Sequence, residues 1–138
     1  MQLEVRINLI LHATENENKV MEKLENIFHI EQKNFQIEEI PGHFNNPILL
    51  ISMKLKKKSA ENFVSVFFSK IKKMDFQEIF DNIEEYVTSS GLSLRISKQK
   101  LISEILTISK EDAIKINIST PVYVKNETKK IYQELMEY

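Results

Sequence analysis

The sequence predicts an α+β fold: one two-layer domain over residues 1–138, a mostly antiparallel sheet with helices packed on one face. Three features predict it. Apolar residues alternate with polar ones in separated segments, aromatic residues recur at helical spacing between two of those segments, and turn formers mark the boundaries. With 138 residues and 42% apolar content, the chain is long enough to bury a core without disulfides or a structural metal.

From Gln2 to Leu11, Leu3, Val5, Ile7, Leu9 and Leu11 alternate with Glu4, Arg6 and Asn8, the mark of a strand with one face in the core. Thr14-Glu15-Asn16-Glu17 then spells a capping box, in which the Thr14 hydroxyl accepts from the third helical amide and Glu17 reaches back. The helix it opens carries Val20, Leu24, Ile27 and Phe28 on one stripe. Asn34 to Ile40 is expected as a second strand, with Phe35 and Ile37 facing one way and Gln36 and Glu38 the other. Pro41-Gly42-His43-Phe44-Asn45-Asn46-Pro47 gathers turn formers between two apolar runs, so Gly42, His43, Asn45, Asn46 and Pro47 are expected to shape a loop. The next strand runs from Ile48 to about Lys57. Leu49, Ile51, Met53 and Leu55 keep one side apolar, while the other changes from Ile48 and Leu50 to Ser52, Lys54 and Lys56.

Ser59 can cap a helix carrying Phe63, Val64, Phe67, Phe68 and Ile71, and Asp75-Phe76-Gln77-Glu78 opens another with Phe76, Ile79, Phe80, Ile83, Tyr86 and Val87. Gly91 marks the exit, after which Leu92, Leu94 and Ile96 alternate with Ser93, Arg95 and Ser97. Ile102 to Ile108 reads as a short strand, although a helical turn fits the same pattern. Ile114, Ile116 and Ile118 alternate with Lys115, Asn117 and Ser119, and beyond Pro121 Asn126 can cap a last helix with Ile131, Tyr132, Leu135 and Met136 inside. The predicted order is β-α-β-β-α-α-β-β-β-α. If the helices cover one face, the other collects Arg6, Asn8, Ser52, Lys54, Lys56, Ser93, Arg95, Lys115 and Asn117, with Glu4 at its margin.

Composition removes several kinds of chemistry. The chain has no cysteine, which excludes thiolate nucleophiles, redox pairs and cysteine-bound metal. Its two glycines, Gly42 and Gly91, cannot build a phosphate-cradling loop, so no nucleotide cofactor is expected. The longest apolar run is Ile48-Leu49-Leu50-Ile51 and the start Met1-Gln2-Leu3-Glu4 is no signal peptide, so a soluble, cytoplasmic protein is expected. His12, His29 and His43 lack metal-ligand spacing, no Gly-x-Ser-x-Gly elbow accompanies the serines, and Glu38-Glu39, Glu84-Glu85 and Glu111-Asp112 are neighbours that do not face each other. No catalytic or metal site is therefore expected.

The net charge of -1, from 19 basic and 20 acidic residues, is not that of a strongly basic nucleic-acid module. The charge is nevertheless blocky: residues 54–73 hold seven lysines against Glu61 alone, and residues 74–94 hold five acids and no base. Such a run either is a solvated face or, if the fold gathers it, creates a local positive field. Arg6 and Arg95 are the only arginines, so anion contacts would be mainly point-charge. The outward positions hold no aromatic residue for stacking bases, which leaves recognition of phosphates and shape.

His12-Ala13-Thr14-Glu15 with Lys19-Val20, Gly42-His43-Phe44-Asn45-Asn46-Pro47-Ile48, and Arg95-Ile96-Ser97-Lys98-Gln99 together resemble an archaeal family described as predicted exosome subunits or RNA-binding proteins. The order and spacing agree along nearly the whole chain. That family commonly carries His-Ala-Thr-Glu-Asp, Gly-x-x-Gly-Asn-Pro-Ile and Arg-x-Asp-Lys-Gln; here Asn45 replaces the second loop glycine and Ser97 the aspartate. Asparagine tolerates a left-handed backbone better than most residues. The resemblance implies a fold similar to that of the large-subunit ribosomal protein that holds 5S rRNA, and a role with RNA. The same motif residues also read as plain structure, ending a strand, capping a helix and fixing a connection.

Together these readings lead to a non-catalytic RNA-binding protein, associated with the archaeal exosome or other RNA processing, contacting structured RNA through phosphates. The expected contacts are Lys54, Lys56, Lys57, Arg95, Lys98 and Lys100, beside the loop of Gly42, His43, Asn45, Asn46 and Pro47. The alternative is a protein–protein adaptor or homodimer using the same open sheet and the apolar Ile10, Ile48 and Leu50 on its margin.

Overall fold

The N-terminal alternation forms strand β1 (Glu4–His12), and it stands in the middle of the sheet rather than at an edge. The structure, a computed structural model, describes residues 2–12, 17–42, 46–111 and 113–137. Chain order runs β1, α1 (Glu17–Phe28), a 3₁₀ turn at Gln32–Asn34, β2 (Gln36–Pro41), β3 (Pro47–Lys56), α2 (Lys57–Lys70), α3 (Lys73–Asp81) and α4 (Ile83–Tyr86). It continues through β4 (Val87–Thr88), β5 (Gly91–Ser97), α5 (Lys98–Ile102), β6 (Ala113–Ser119), a 3₁₀ turn at Lys125–Glu127 and α6 (Thr128–Met136). The six strands make one sheet in the order β2-β3-β1-β6-β5-β4, antiparallel at every pairing.

Burial follows the alternation closely. Val5, Ile7, Leu9 and Leu11 of β1, Ile51 and Met53 of β3, Leu92, Leu94 and Ile96 of β5, and Ile114, Ile116 and Ile118 of β6 are all buried on one face. Against that face lie Val20 and Leu24 of α1, Phe63, Val64 and Phe67 of α2, Ile79 of α3, Leu101 of α5 and Leu135 of α6. The phenylalanines bind the helical layer to itself: ring centroids are 4.6 Å apart for Phe28 and Phe63, 5.8 Å for Phe63 and Phe67, 5.1 Å for Phe67 and Phe68, and 6.1 Å for Phe68 and Phe76. Such pairs each add ~0.5–1.5 kcal/mol beyond the area they bury.

Four expectations are corrected locally. Residues 102–108 do not form a strand: α5 occupies Lys98–Ile102, and only an isolated bridge, Ile96 to Ile108, follows. The segment is pinned by Asp75, whose carboxylate accepts from the Thr107 hydroxyl and from the Ile108 amide at 3.2 Å. Second, α2 begins at Lys57 and α3 at Lys73, each two residues before the expected start, with no side chain capping either. Third, α6 starts at Thr128 because Lys125–Glu127 winds as a 3₁₀ turn. Fourth, Ile37 shares the core side of the sheet with its partner Ile51, yet it is 51% exposed because β2 lies at the edge of the layer the helices cover. The capping box expected at Thr14 to Glu17 begins outside the described residues, as do His43 and Asn45 of the expected loop.

Both glycines sit where a side chain has no room. A Cβ at Gly42 would stand 2.2 Å from the Asn46 carbonyl oxygen, so the chain between β2 and β3 closes tightly there. Gly91 has φ +117, a region L-residues rarely enter, and a Cβ there would lie 2.5 Å from the Ile118 carbonyl oxygen of β6. Gly91→Ala is therefore expected to destabilise the protein by ~1–3 kcal/mol, read as a lower urea midpoint with an unchanged slope. An unchanged midpoint would show that the β4–β5 turn relaxes freely.

Candidate functional site

The register of the sheet fixes which side chains share the uncovered face. Paired residues across antiparallel strands project to the same side, so the face can be read in rows. Lys56, Glu4 and Ser119 form the first row, from β3 through β1 to β6. Lys54, Arg6, Asn117 and Ser93 form the second, reaching β5. Ser52, Asn8, Lys115 and Arg95 form the third, with Gln36 of β2 at its outer end. Next come Glu38, Leu50 and Ile10, then Ile40, Ile48 and His12. All nine side chains assigned to an outer face by alternation lie on this one surface.

Arg6, Lys54, Lys56, Arg95 and Lys115 are exposed here. Strands are spaced ~4.8 Å apart and rise ~3.4 Å per residue, so Lys54 on β3 and Arg95 on β5, three strands over and one row along, stand about 16 Å apart. Between them Asn117 donates to Ser93 Oγ at 3.0 Å, which leaves the centre polar and flat. Glu4 is the one acid embedded in the cationic rows: its Oε1 lies 3.2 Å from Lys54 Nζ and 3.5 Å from Arg6 Nε. The hydrogen bond from Lys54, with the nearby charges of Lys54, Arg6 and Lys56, holds its carboxyl below the ordinary glutamate range despite some burial.

The remaining expected contacts divide. Lys57 is exposed at the first residue of α2 with φ +55, directly after Lys56. No acid occupies the first turn of that helix, so Lys56, Lys57 and Lys58 crowd its positive end. Lys100 is exposed on α5. Lys98 is not available as expected. Its side chain is 2% exposed, and its ammonium donates to the Ile10 carbonyl of β1. The ladder between β1 and β6 ends at Asn8 and Lys115, and Lys98 supplies a donor to β1 just beyond that end. Ser97, which stands where the resemblance would place an aspartate, caps α5 by accepting from the Lys100 amide at 3.1 Å.

Among the described residues, no cluster of His, Asp and Glu could hold a metal ion, and no helix is long and apolar enough to cross a membrane. Among the described phenylalanines and tyrosines, Tyr123 is exposed in the connection between β6 and α6, off the sheet, and Tyr86 is half-buried beside Ser93 and Arg95. Two features escaped the sequence reading. The role of Lys98 was hidden because α5 occupies the stretch between two expected strands, where no element was expected, and the embedding of Glu4 becomes visible only when β3 is set beside β1.

Comparison with known proteins follows the same line. The model of a family described as "RNA binding" matches residues 4–120. The RNA-binding protein PAB1135 of Pyrococcus abyssi is 31% identical over 126 residues, which cover 86% of this chain and 82% of that protein. The uncharacterized protein MJ0213 of Methanocaldococcus jannaschii is 26% identical, covering 92% of this chain and 91% of its own. Among solved structures, SSO0741 of Sulfolobus solfataricus, of the family DUF54, is similar with a TM-score of 0.77 at 25% identity, over 97% of this chain and 98% of that one.

The Glu4 carboxyl is expected to titrate below the ordinary glutamate range when followed by carboxyl NMR, and Lys54→Met should move it upward. Because its value is lowered in the folded state, the ion pairs survive as pH falls through the usual carboxylate range and are lost only as pH reaches the lowered value. A titration unaffected by Lys54→Met would remove the coupling. Lys98→Met leaves the Ile10 carbonyl without this donor and is expected to cost ~1–3 kcal/mol in a denaturation experiment.

Proposed function

We propose, for a chain that belongs to this RNA-binding family, a non-catalytic role: it holds structured RNA by its phosphates on the open face of the sheet. The observation that supports this most is the convergence of Arg6, Lys54, Lys56, Arg95 and Lys115 from four strands onto one uncovered surface. Lysines dominate, and a lysine offers a mobile point charge rather than a planar fork, which suits phosphates over base edges. Asn8, Ser52, Ser93 and Asn117 lie among them and can meet ribose hydroxyls, the groups an A-form helix displays in its wide minor groove. No phenylalanine, tyrosine or tryptophan stands in these cationic rows to stack a splayed strand, and the imidazole of His12 lies beyond them at the apolar end of the face.

The phosphate contacts in this proposal are Lys54, Lys56, Lys57, Arg95 and Lys100, joined by Arg6 and Lys115; Lys98 is withdrawn as a surface contact. Gly42, Asn46 and Pro47 shape the adjoining connection. Through the motif resemblance, the proposed setting is RNA processing, with exosome proteins as partners and a fold related to that of the 5S rRNA-binding ribosomal protein. A pull-down in which nuclease treatment releases such a partner supports an RNA bridge, and a nuclease-resistant complex supports direct contact.

Titration with an RNA duplex should give an affinity that falls linearly in a log–log plot against salt. A slope of about -6 is expected from these seven cations at ~0.9 per phosphate. Lys54→Glu with Lys56→Glu should abolish binding, whereas Glu4→Gln should strengthen it by releasing Lys54 and Arg6. Absent or salt-independent binding overturns the proposal.

A further inference from the structure

The open face is not uniform, and its apolar end is the part that phosphate contacts leave unexplained. Beside the Lys115 and Arg95 row the sheet surface sinks into a shallow cavity of about 720 Å³. Its floor carries Ile10, 46% exposed, and Leu50, which are cross-strand partners on β1 and β3. Asn8 and Ser52 stand on one side of that pair, with Lys115 and Arg95 beyond them; Gln36 and Glu38 of the edge strand close the other rim. An exposed isoleucine in the middle of a sheet face costs solubility and contributes nothing to the core, which lies on the opposite side.

We propose that this cavity takes one unpaired nucleobase of the bound RNA, its apolar face against Ile10 and Leu50 and its flanking phosphate on Arg95 and Lys115. The inference rests on the phosphate-binding function proposed above and names what that surface selects. Three facts favour a base over a protein occupant. The cavity is continuous with the cationic rows, since Lys115 and Arg95 line both. Its rim alternates donors and acceptors, with Asn8, Ser52, Gln36 and Glu38 placed to meet a base edge. The cavity floor is Ile10 and Leu50, the scale of one base, and even with Ile40 and Ile48 of the next row the apolar end holds four side chains, far from the ~800 Å² per partner that a stable dimer buries. A nucleotide pulled from a bulge or loop satisfies all three, whereas a continuous duplex leaves the cavity empty.

The test compares two RNAs at one salt concentration: a continuous duplex, and the same duplex with one bulged 2-aminopurine. The bulged RNA is expected to bind about tenfold tighter, the ratio that burying one base face against apolar side chains supplies. The 2-aminopurine emission should change on binding to the unaltered protein, which keeps the test independent of any variant's folding. Ile10→Thr with Leu50→Thr, β-branched replacements suited to strands, should remove the preference while leaving the duplex affinity and its salt slope unchanged. Equal affinity for the two RNAs, with salt-dependent duplex binding intact, overturns this inference alone. Failure of both RNAs to bind in a salt-dependent way overturns the phosphate proposal and this one with it. A dimer in light scattering that Ile10→Thr dissolves assigns the patch to a second copy and also overturns it.

Discussion

Everything on the open face depends on the alternation of β1 being held in register between β3 and β6. A strand's side chains project to opposite sides with period two, so a slip of one residue would bring Glu4, Arg6 and Asn8 into the core. The helical layer forbids that: Val5, Ile7, Leu9 and Leu11 are buried beneath it, and among the described residues the buried layer holds no acid to partner an arginine. The core thereby dictates the composition of the opposite face. Arg6 is beside Lys54, and Lys115 beside Arg95, because the apolar residues between them have to face the helices.

That arrangement has an electrostatic cost. Five exposed cations set side by side on neighbouring strands repel one another, and cross-strand like charges destabilise a sheet. Glu4 offsets part of the repulsion, since it reaches both Lys54 and Arg6. Lys54 and Arg6 are about half exposed, so salt and competing anions reach them and can displace the Glu4 oxygen that they cover. Lys56, Lys57 and Lys58 compound the cost at the start of α2, where a helix favours acids. A surface arranged for stability alone would have interleaved some of the five acids of residues 74–94 with these lysines; the chain keeps those acids on α3 and α4, away from Lys56, Lys57 and Lys58 at the end of β3 and the start of α2.

Much of the fold was legible from period alone, because a half-buried strand writes its burial directly into the order of residues. The strands at Glu4–His12, Pro47–Lys56, Gly91–Ser97 and Ala113–Ser119 are where the alternation places them. Ile102 to Ile108 was misleading since its apolar residues anchor to different partners: Leu106 enters the core, while Ile108 bridges Ile96 and gives its amide to Asp75. Helix starts were early for a similar reason. Propagation from packed residues such as Phe63 carried α2 back to Lys57 without a cap, so Ser59 could not mark its true beginning. The site was legible as a set of outward cations but not as an ordered surface. Strand order, and with it the position of Glu4 and of the apolar end, is a property of pairing between distant segments.

Arg95 and Lys98 show why residue type and proximity in sequence are poor guides to role. They stand three residues apart within one motif, yet the chain changes from strand to helix between them. Arg95 belongs to the strand and is turned to solvent by the pleat, opposite Lys115. Ser97 ends the strand and caps α5, and Lys98 begins the helix with its stem buried and its charge delivered to the Ile10 carbonyl. A lysine suits that task because its long apolar stem can cross the layer while the terminal donor meets a backbone acceptor. Its effect on the open face is indirect but specific: it holds β1 at the residue whose side chain forms the floor of the apolar cavity. The motif thus joins a solvent-facing cation to a buried anchor, and Ile10 is the point where the two halves of the face meet.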